Sequence, residues 1–383
     1  MTATSPSPAD TRNRLRRAMP ITQQWAYFDH AAVAPLSQPA TLALSRWLEQ
    51  ASQAGDTAWP RWAAGLAATR LAAARLIGAH EDEIALVPNT TTGINLVAEG
   101  MDWQPGDNVV TLADEFPSNA YPWLNLAQRG VETRRLPTDR GVVDLQRLAD
   151  LCDRRTRVVS VSWIAYGSGC RRDLNAISRM AHNRGALLFV DAIQGIGAFP
   201  LDVNQLDLDF LAADGHKWQL GPEGAGFAFI RRAHLAGLRP HGVGWHSVVH
   251  AGDFSHIELK LKESAARFEG GSHNMAGFLA WGASLDLLIQ LGIENVAAAI
   301  LDFTDQACTA LKQAGAEILS PRQPEFKSGI VTFDLPGRDA MEVRRQCLEQ
   351  GVVLSCRGGH LRISPHAYNN GEDLQRLLTA LEH

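Results

Sequence analysis

The segment "LAADGHKWQLGPEG" (211–224) places His216 and Lys217 at the end of an apolar run, directly before a glycine-rich turn. The apolar run, "LDFLAA" at 208–213, predicts a buried β-strand. A lysine at the end of such a strand lies in a poorly solvated cleft, where a charged amine is costly. We therefore interpret Lys217 as a lysine with a chemical task, against the alternative that its side chain extends to solvent.

Short apolar runs alternate with longer amphipathic ones from about residue 27 to residue 230. Six of the short runs predict strands, at 83–87, 108–112, 157–163, 186–190, 208–213 and 226–230. Amphipathic stretches such as "LNAISRMAHNRG" lie between several of them and predict helices. Continuous apolar strands that alternate with helices indicate an α/β fold with a mostly parallel central sheet and helices on both faces.

The rest of the chain is organised around this unit. We predict a polar N-terminal arm at 1–26 and a large domain at 27–272. The helical pattern "MAGFLAWGASLDLLIQLG" predicts a bridging helix within 273–294. A smaller C-terminal α+β domain follows at 295–383 and contains "GIVTFDL", "VVLSCR" and "HLRIS". The length of 383 residues suits two or three domains at about 100–200 residues each.

Composition argues against several classes of function. The net charge is −5 and basic runs are short, so we expect no nucleic-acid partner. The polar N-terminus does not resemble a signal peptide, and apolar stretches fall short of the ~20 residues of a membrane span. Five scattered cysteines without a C-x-x-C pair predict a reducing cytoplasm and neither disulfides nor zinc. We expect no metal site, because His30, His246 and His273 lack metal-ligand spacing.

Polar residues follow two further predicted strands, at the carboxyl ends where ligands gather in parallel sheets. "LVPNTTTGINL" (86–96) puts three threonines at a helix start, which suits a phosphate group, although helix capping by Asn89 or a threonine is the alternative. "ALLFVDAIQGIG" (186–197) ends a strand at Asp191, with Gln194 three residues later. Taken alone, Asp191 would be structural about as often as functional.

Together, these features are the parts needed to hold pyridoxal phosphate. Lys217 can bind the aldehyde as a Schiff base, an acid such as Asp191 can keep the pyridine nitrogen protonated, and the helix start can anchor the phosphate. A dinucleotide is not indicated, because "GIGAFP" lacks the third glycine and the helix of that motif.

Six motifs extend this interpretation to a family: "NTTTGINLVA", "DEFPSNAYPW", "VDAIQGIG", "DGHKWQLGPEG", "RFEGGS" and "LRISPHAYNN". They occur in the order seen in the class V aminotransferases of fold type I, which include cysteine desulfurases, kynureninase and isopenicillin N epimerase. The chain resembles this family from "YFDHAAVAPLS" (27–37) to its final helix. The resemblance implies pyridoxal 5′-phosphate as cofactor, an amino acid as substrate and a homodimer with shared active sites.

The resemblance also implies a role for each motif residue. Lys217 would form the Schiff base and then act as the general base at the substrate Cα. The other implied contacts are Thr90, Thr91 and His216 at the phosphate, Asp191 at the pyridinium nitrogen, Gln194 at the phenolic oxygen, Phe116 stacked on the ring, Ser272 at the phosphate of the partner subunit, Arg362 at the substrate α-carboxylate, and His30 and Asn119 in the substrate pocket.

Departures from the desulfurase pattern bear on the reaction. "SCRGGHLRIS" runs almost directly from Arg357 to Arg362, without the loop that carries the nucleophilic cysteine of desulfurases, and we interpret Cys356 as structural. Phe116 replaces a desulfurase histidine and cannot shuttle a proton. Asp214 replaces a serine near the phosphate and must therefore turn away, be protonated or have a cationic neighbour, for which His216 is the candidate.

We predict an enzyme that deprotonates an amino acid at Cα and then eliminates its β-substituent, as in a C–S lyase acting on cysteine, cystine or a sulfur conjugate. Gln194 within "DAIQ" supports this, because it resembles the desulfurase and lyase members more than the transaminases. Reprotonation, by transamination, epimerisation or racemisation, is the alternative. A non-catalytic binding dimer is a third hypothesis, which the presence of Lys217, Asp191 and His216 opposes.

Overall fold

The computed structural model describes residues 7–382, and these form thirteen strands and eleven α-helices. The strands are β1 (Ala26–Tyr27), β2 (Ile84–Val87), β3 (Asn108–Leu112), β4 (Glu132–Leu136), β5 (Thr156–Ser162), β6 (Leu187–Asp191), β7 (Phe210–Asp214), β8 (Gly226–Ile230), β9 (Glu317–Ile318), β10 (Val331–Asp334), β11 (Val352–Val353), β12 (Ser355–Arg357) and β13 (His360–Ile363). The helices are α1 (Pro8–Arg17), α2 (Gln38–Gln53), α3 (Trp59–Leu76), α4 (Thr90–Gly100), α5 (Tyr121–Asn125), α6 (Leu145–Leu151), α7 (Leu174–Asn183), α8 (Met275–Leu291), α9 (Ile293–Gln313), α10 (Ala340–Glu349) and α11 (Gly371–Leu381).

A seven-stranded sheet forms the centre of the molecule, in the order β2-β8-β7-β6-β5-β3-β4. Strands β3 to β7 pair in parallel, whereas β8 is antiparallel to both of its neighbours, β7 and β2. The prediction of a mostly parallel α/β sheet is therefore confirmed, and all six predicted strands are present. The edge strand β4 was not predicted, because its sequence "ETRRL" is polar and largely exposed.

The apolar runs of these strands result from burial on both faces of the sheet. Every residue of β2, β3, β7 and β8 is buried. Successive residues contribute to opposite apolar clusters: Leu211 and Phe229 belong to one, and Ala212 and Ala228 to the other. Because neighbouring side chains of a strand point to opposite faces, helices must cover both sides of the sheet.

The C-terminal part contains a second, antiparallel sheet in the order β12-β13-β10-β9. Its apolar face packs with α9, α10 and α11 in a third cluster that includes Phe303 and Phe333. The predicted bridging helix corresponds to α8, which meets α9 at Gly292 with a bend of 82°. In the described chain, no single helix has the length and apolarity to cross a membrane, and α8 and α9 reach that threshold only as a bent pair. The domain boundaries themselves stay a prediction.

The N-terminal arm contains a docked helix. Helix α1 begins after Ser7, which caps it together with Asp10, and the arm residues 1–6 lie outside the described part. Arg12 pairs with Asp302 of α9 at 2.7 Å, and Arg16 pairs with Asp373 of α11 at 2.8 Å. Strand β1 then pairs with β11, so the N-terminal segment is attached to the C-terminal part of the chain.

Candidate active site

A cavity of about 260 Å³ lies beyond the carboxyl ends of β6 and β7. Polar side chains from distant segments converge there, because the ends of neighbouring parallel strands meet at one edge of the sheet. Eight of the eleven predicted site residues line it: Thr90, Thr91, Phe116, Asp191, Gln194, His216, Lys217 and Arg362. The sequence did not indicate Ser118 and Tyr166, which also line the cavity.

Lys217 is buried three residues beyond the end of β7. Burial lowers the pKa of its amine to about 8, against the negative charges of Asp191 and Asp214, which raise it, and with a further lowering by nearby arginines. Its Nζ lies 5.5 Å from the centre of the Phe116 ring. A lowered pKa increases the fraction of neutral amine, which is the form that attacks a carbonyl and removes a proton.

The glycines around Lys217 are required by close packing. A Cβ atom on Gly215 would lie 2.6 Å from Cδ1 of Trp281 and 2.8 Å from the carbonyl oxygen of Ala225. A Cβ atom on Gly221 would meet the same Trp281 atom at 2.6 Å. The glycine-rich turn therefore lets the backbone that carries Lys217 pack directly against the indole of α8.

Asp191 ends β6 as a buried carboxylate with little local support. Its Oδ1 accepts a hydrogen bond from the backbone N–H of Ile193 at 3.1 Å. Burial raises the pKa of Asp191, and the negative charge of Glu115 adds to this effect. Among residues 7–382, no basic side chain lies within ion-pair distance of it. A positively charged ring nitrogen would supply the missing partner.

The start of α4 fits a phosphate group. Asn89 caps the helix by accepting from the backbone N–H of Thr92 at 2.8 Å, so the capping interpretation holds for Asn89 itself. Thr90 Oγ1 and His216 Nδ1 are buried and have no hydrogen-bond partner within the described chain. Unpaired buried polar atoms beside a helix N-terminus are suited to an anion that supplies the missing partners.

Asp214 lies beside His216, the residue that the sequence indicated as its candidate cationic neighbour. His216 Nδ1 lies 3.0 Å from Asp214 Oδ2, within ion-pair distance, although the angle does not make a hydrogen bond. A protonated His216 can therefore offset the charge of Asp214 next to a phosphate.

The Gln194 side chain is oriented by two neighbours. Its Oε1 accepts from Nε1 of Trp218 at 2.9 Å, and its Nε2 donates to the carbonyl oxygen of Ala31 at 3.0 Å. Because an indole nitrogen can only donate, this contact fixes which end of the amide is the oxygen. The second N–H of Nε2 has no partner among residues 7–382 and can make the predicted contact with a phenolic oxygen.

Arg362 is a buried guanidinium held by three protein contacts. Nη1 donates to the carbonyl oxygen of Tyr166 at 2.7 Å, Nη2 donates to Asp29 Oδ1 at 3.1 Å, and Nε donates to Ser355 Oγ at 3.1 Å. Burial lowers the pKa of Arg362. The side chain is therefore held in one orientation in the wall of the cavity.

A second guanidinium, that of Arg357, also lines the cavity. It lies on β12, next to the tight turn at Gly358 and Gly359, whose φ angles of +58° and +86° favour glycine. In contrast to Arg362, its side chain is exposed, and it donates to the carbonyl oxygen of Cys356 at 2.9 Å. The short spacing in "SCRGGHLRIS" could have indicated that Arg357 lies near Arg362, because a two-residue hairpin turn brings β12 and β13 together.

His30 does not line the cavity, contrary to its predicted place in the substrate pocket. The ring is fully buried, its Nδ1 donates to the carbonyl oxygen of Ser364 at 3.0 Å, and its Nε2 accepts from the hydroxyl of Tyr368 at 2.9 Å. Both ring nitrogens are thus bonded to residues of the C-terminal part, and His30 connects the N-terminal segment to it.

Asn119 and Ser272 also lie outside the cavity of this chain. The Asn119 amide is fully buried, donates to Glu115 at 3.0 Å and accepts from Ser160 at 2.7 Å. A substrate-pocket role for Asn119 does not fit this position, because motif order does not give the direction of a side chain. Ser272 is exposed, and its contact with a partner subunit stays a prediction.

One group of potential metal ligands lies elsewhere, formed by His246, Glu269 and His273. Its carboxylate already has a cation, because both terminal nitrogens of Arg70 donate to Glu269, which also accepts from His273 Nε2 at 2.7 Å. This ion pair accounts for the cluster without a metal.

A buried lysine, a buried strand-end acid and a helix start suited to a phosphate group, on a mostly parallel sheet, define a pyridoxal phosphate-dependent enzyme of fold type I. The protein belongs to the class V aminotransferase family, whose family model, "Aminotransferase class-V", matches residues 26–377. A probable cysteine desulfurase of Methanothermobacter thermautotrophicus is 34% identical to it over 393 aligned residues, which cover 96% of each chain.

Solved structures share the fold at lower identity. The apo structure of a cysteine desulfurase from Thermococcus onnurineus has a TM-score of 0.88 at 24% identity, over 100% of this chain and 98% of that one. The cystine C–S lyase C-DES, in complex with its product cysteine persulfide, has a TM-score of 0.88 at 24% identity, over 93% and 97% of the two chains. The predicted family, fold type and cofactor are thus confirmed.

Proposed function

We propose that the protein cleaves a C–S bond by β-elimination from a cysteine derivative that carries a second carboxylate, with cystine as the best-fitting substrate. The observation that supports this is the composition of the cavity. Two guanidinium groups, Arg357 and Arg362, line it together with Lys217, whereas no cysteine does so within the described chain. Two arginines suit a substrate with two carboxylates.

The position of Cys356 supports an elimination without a protein thiol. Cys356 directly precedes Arg357 on β12, and neighbouring side chains of a strand point to opposite faces. If Arg357 contributes to the cavity wall, Cys356 points away from it. Relatives of this chain are named cysteine desulfurase and cystine C–S lyase. Without a thiol to receive the sulfur, the lyase name fits this cavity better.

When bound, the cofactor supplies an aldehyde that takes up the substrate amine and a protonated ring that stabilises negative charge at Cα. Arg362 binds the α-carboxylate and orients the Cα–H bond toward Lys217. Nζ of Lys217 takes the Cα proton, the Cβ–S bond breaks, and its electron pair leaves with the sulfur. From cystine the products are cysteine persulfide and a three-carbon fragment that hydrolyses to pyruvate and ammonia.

The test compares two disulfides that differ at the distal end. Cystine carries the second carboxylate, whereas S-(ethylthio)cysteine lacks it and keeps the same Cβ–S bond. We expect kcat/KM for pyruvate release to be about 10- to 100-fold higher with cystine, the size of one hydrogen-bonded charge contact. Arg357→Ala should remove this preference, and Arg362→Ala should weaken both substrates.

Other outcomes would overturn the proposal. Equal rates for both disulfides would show that Arg357 does not bind the distal carboxylate. A keto acid that retains the sulfur would identify an aminotransferase, and inversion at Cα without sulfur release would identify an epimerase or racemase.

We further propose that the protein acts as a homodimer in a reducing cytoplasm. Support for the dimer comes from the segment 243–260, where Phe254, Ile257 and Leu259 are 74%, 92% and 75% exposed beside a cavity of about 390 Å³. The five unpaired cysteines fit a reducing compartment. Sedimentation of the protein and of Ile257→Asp tests the dimer, which the variant should weaken. A monomeric wild-type protein would contradict it.

A further inference from the structure

A buried ion pair that the proposed mechanism does not use lies behind Asp191. Nη1 of Arg172 lies 3.1 Å from Oε1 of Glu115, and their side chains are 1% and 0% exposed. The guanidinium also donates to the carbonyl oxygen of Ser162 at 2.8 Å and to Asp114 at 2.8 Å. Burying two charges this deeply costs free energy of desolvation, which suggests that the pair has a role beyond stability.

The pair is attached to the strand beside Asp191. Ser162 is the register partner of Asp191 across β5 and β6, and its backbone N–H donates to Glu115 Oε1 at 2.8 Å. The next residue, Trp163, donates its backbone N–H to the carbonyl oxygen of Asp191 at 2.8 Å. The carboxylate of Glu115 is therefore held one strand away from that of Asp191.

Further donors hold the Glu115 carboxylate in place. The Ser162 hydroxyl donates to it, and so does Nδ2 of Asn119, at 3.0 Å. Asn119 is itself fixed, since its Oδ1 accepts from Nε1 of Trp123 at 3.1 Å. Four donors around one carboxylate match an anion that can only accept.

We propose that Glu115 and Arg172 are positioning residues that set the charge balance at Asp191 and, through it, how firmly the cofactor ring nitrogen keeps its proton. The proposal requires the cofactor site but is independent of the substrate and of the reaction that follows Cα deprotonation.

The groups that act on Asp191 carry both signs. Glu115 raises the pKa of this buried carboxyl group, whereas Lys217 and Arg172 lower it. Asp114, 32% exposed at its side chain, offsets part of the charge of Arg172 from the solvent side. Electrostatic effects are large in the poorly polarisable interior of a protein. The charges of Glu115, Lys217, Arg172 and Asp114 together therefore set the electrostatic potential at Asp191.

Removing one charge of the pair should shift the ring proton in a predictable direction. Without Glu115, the positive charge of Arg172 is offset only by Asp114 from the solvent side, and it repels the proton shared by Asp191 and the ring nitrogen. Without Arg172, the negative charge of Glu115 attracts that proton. The single substitutions should therefore act in opposite directions, and their combination should cancel.

The experiment uses Glu115→Gln, Arg172→Gln and the double variant, each loaded with ring-¹⁵N pyridoxal phosphate. The ¹⁵N shift against pH gives the midpoint of ring-nitrogen deprotonation. We expect it to fall by about one unit in Glu115→Gln, to rise by about one unit in Arg172→Gln, and to return toward wild type in the double variant. Fluorescence titration of the cofactor-free protein should show about tenfold weaker cofactor binding for Glu115→Gln, as one such unit corresponds to a factor of ten.

Asp114→Asn tests the same charge balance with less risk to folding, because the side chain of Asp114 is partly exposed. It removes one negative neighbour of Arg172, so the midpoint should fall, by less than in Glu115→Gln. Shifts of the same sign in Glu115→Gln and Arg172→Gln, or no shift in these two variants and in Asp114→Asn, would overturn the proposal and show that the pair has only a structural role. Either result would leave the C–S lyase assignment untouched.

Discussion

The carboxylates of Glu269 and Asp191 are buried to similar degrees, yet Glu269 accepts four hydrogen bonds and Asp191 accepts one. Burial alone would raise the pKa of both. At Glu269, Arg70 and His273 more than offset burial and lower the pKa to about 2. At Asp191, nothing comparable offsets it, and the pKa is raised. A carboxylate whose partners are all within the protein serves the fold, whereas one left without a cation is available to a ligand.

Lys217→Ala should have the largest effect on activity, because it removes the proposed base from the cavity that Asp191 lines. In the proposed mechanism the variant loses the group that bonds the cofactor and takes the Cα proton, so kcat/KM should fall by about 10³-fold or more. Visible absorbance after addition of the cofactor, together with pyruvate release, measures both losses. Lys312→Ala, on an exposed position of α9, is the control and should behave as wild type.

Asp191→Asn should separate function from stability. Activity should fall by about 10²-fold, because the ring nitrogen loses its negative partner. The free energy of unfolding of the cofactor-free protein at pH 7 should stay the same or rise. At that pH the unfolded chain carries an ionised Asp191 in water, so its burial costs free energy that Asn avoids. Urea unfolding measures this free energy, and a clear loss of stability would show that Asp191 serves the fold, as Glu269 does.

Glu269→Gln should show the opposite behaviour, a loss of stability of about 3 kcal/mol at pH 7. The folded-state pKa of about 2 lies below the ordinary value of 4.5, so the stabilisation is fully present above pH 4.5 and disappears as the pH falls toward 2. Urea unfolding at pH 7 and pH 3 should therefore give a smaller gap from wild type at pH 3. Glu263→Gln, at an exposed position shortly before Glu269 in the chain, is the control. A gap that does not change with pH would contradict the assignment.

Cys356→Ser should have the smallest effect, with kcat/KM for cystine within about a factor of two of wild type. The thiol is partly exposed but does not line the cavity. Its neighbour Arg357 provides the contrast, because Arg357→Ala should alter substrate preference. A tenfold or larger loss in Cys356→Ser would favour a desulfurase.

Burial made the strands and their final residues predictable from sequence. Both faces of the sheet are covered, so each central strand is a short apolar run, and a polar residue at its end stands out. Asp191 and the residues around Lys217 were found in this way, and the helix start at Thr90 follows the same logic. Where a strand is only partly buried, it lacks the apolar run that would identify it, as at the polar edge strand β4.

Contacts between distant segments were decided only by the tertiary structure. Periodicity reports that a side chain is buried, but it does not report which group that side chain meets. His30 bonds to Ser364 and Tyr368 instead of lining the cavity, and Arg172 meets Glu115 from 57 residues away in the chain. The pattern of residues therefore predicted six of the seven strands of the central sheet, the cofactor, and Lys217 as the lysine that binds it. The fold alone decided which charges surround Asp191 and which arginines share its cavity, because these depend on how segments pack across the sheet.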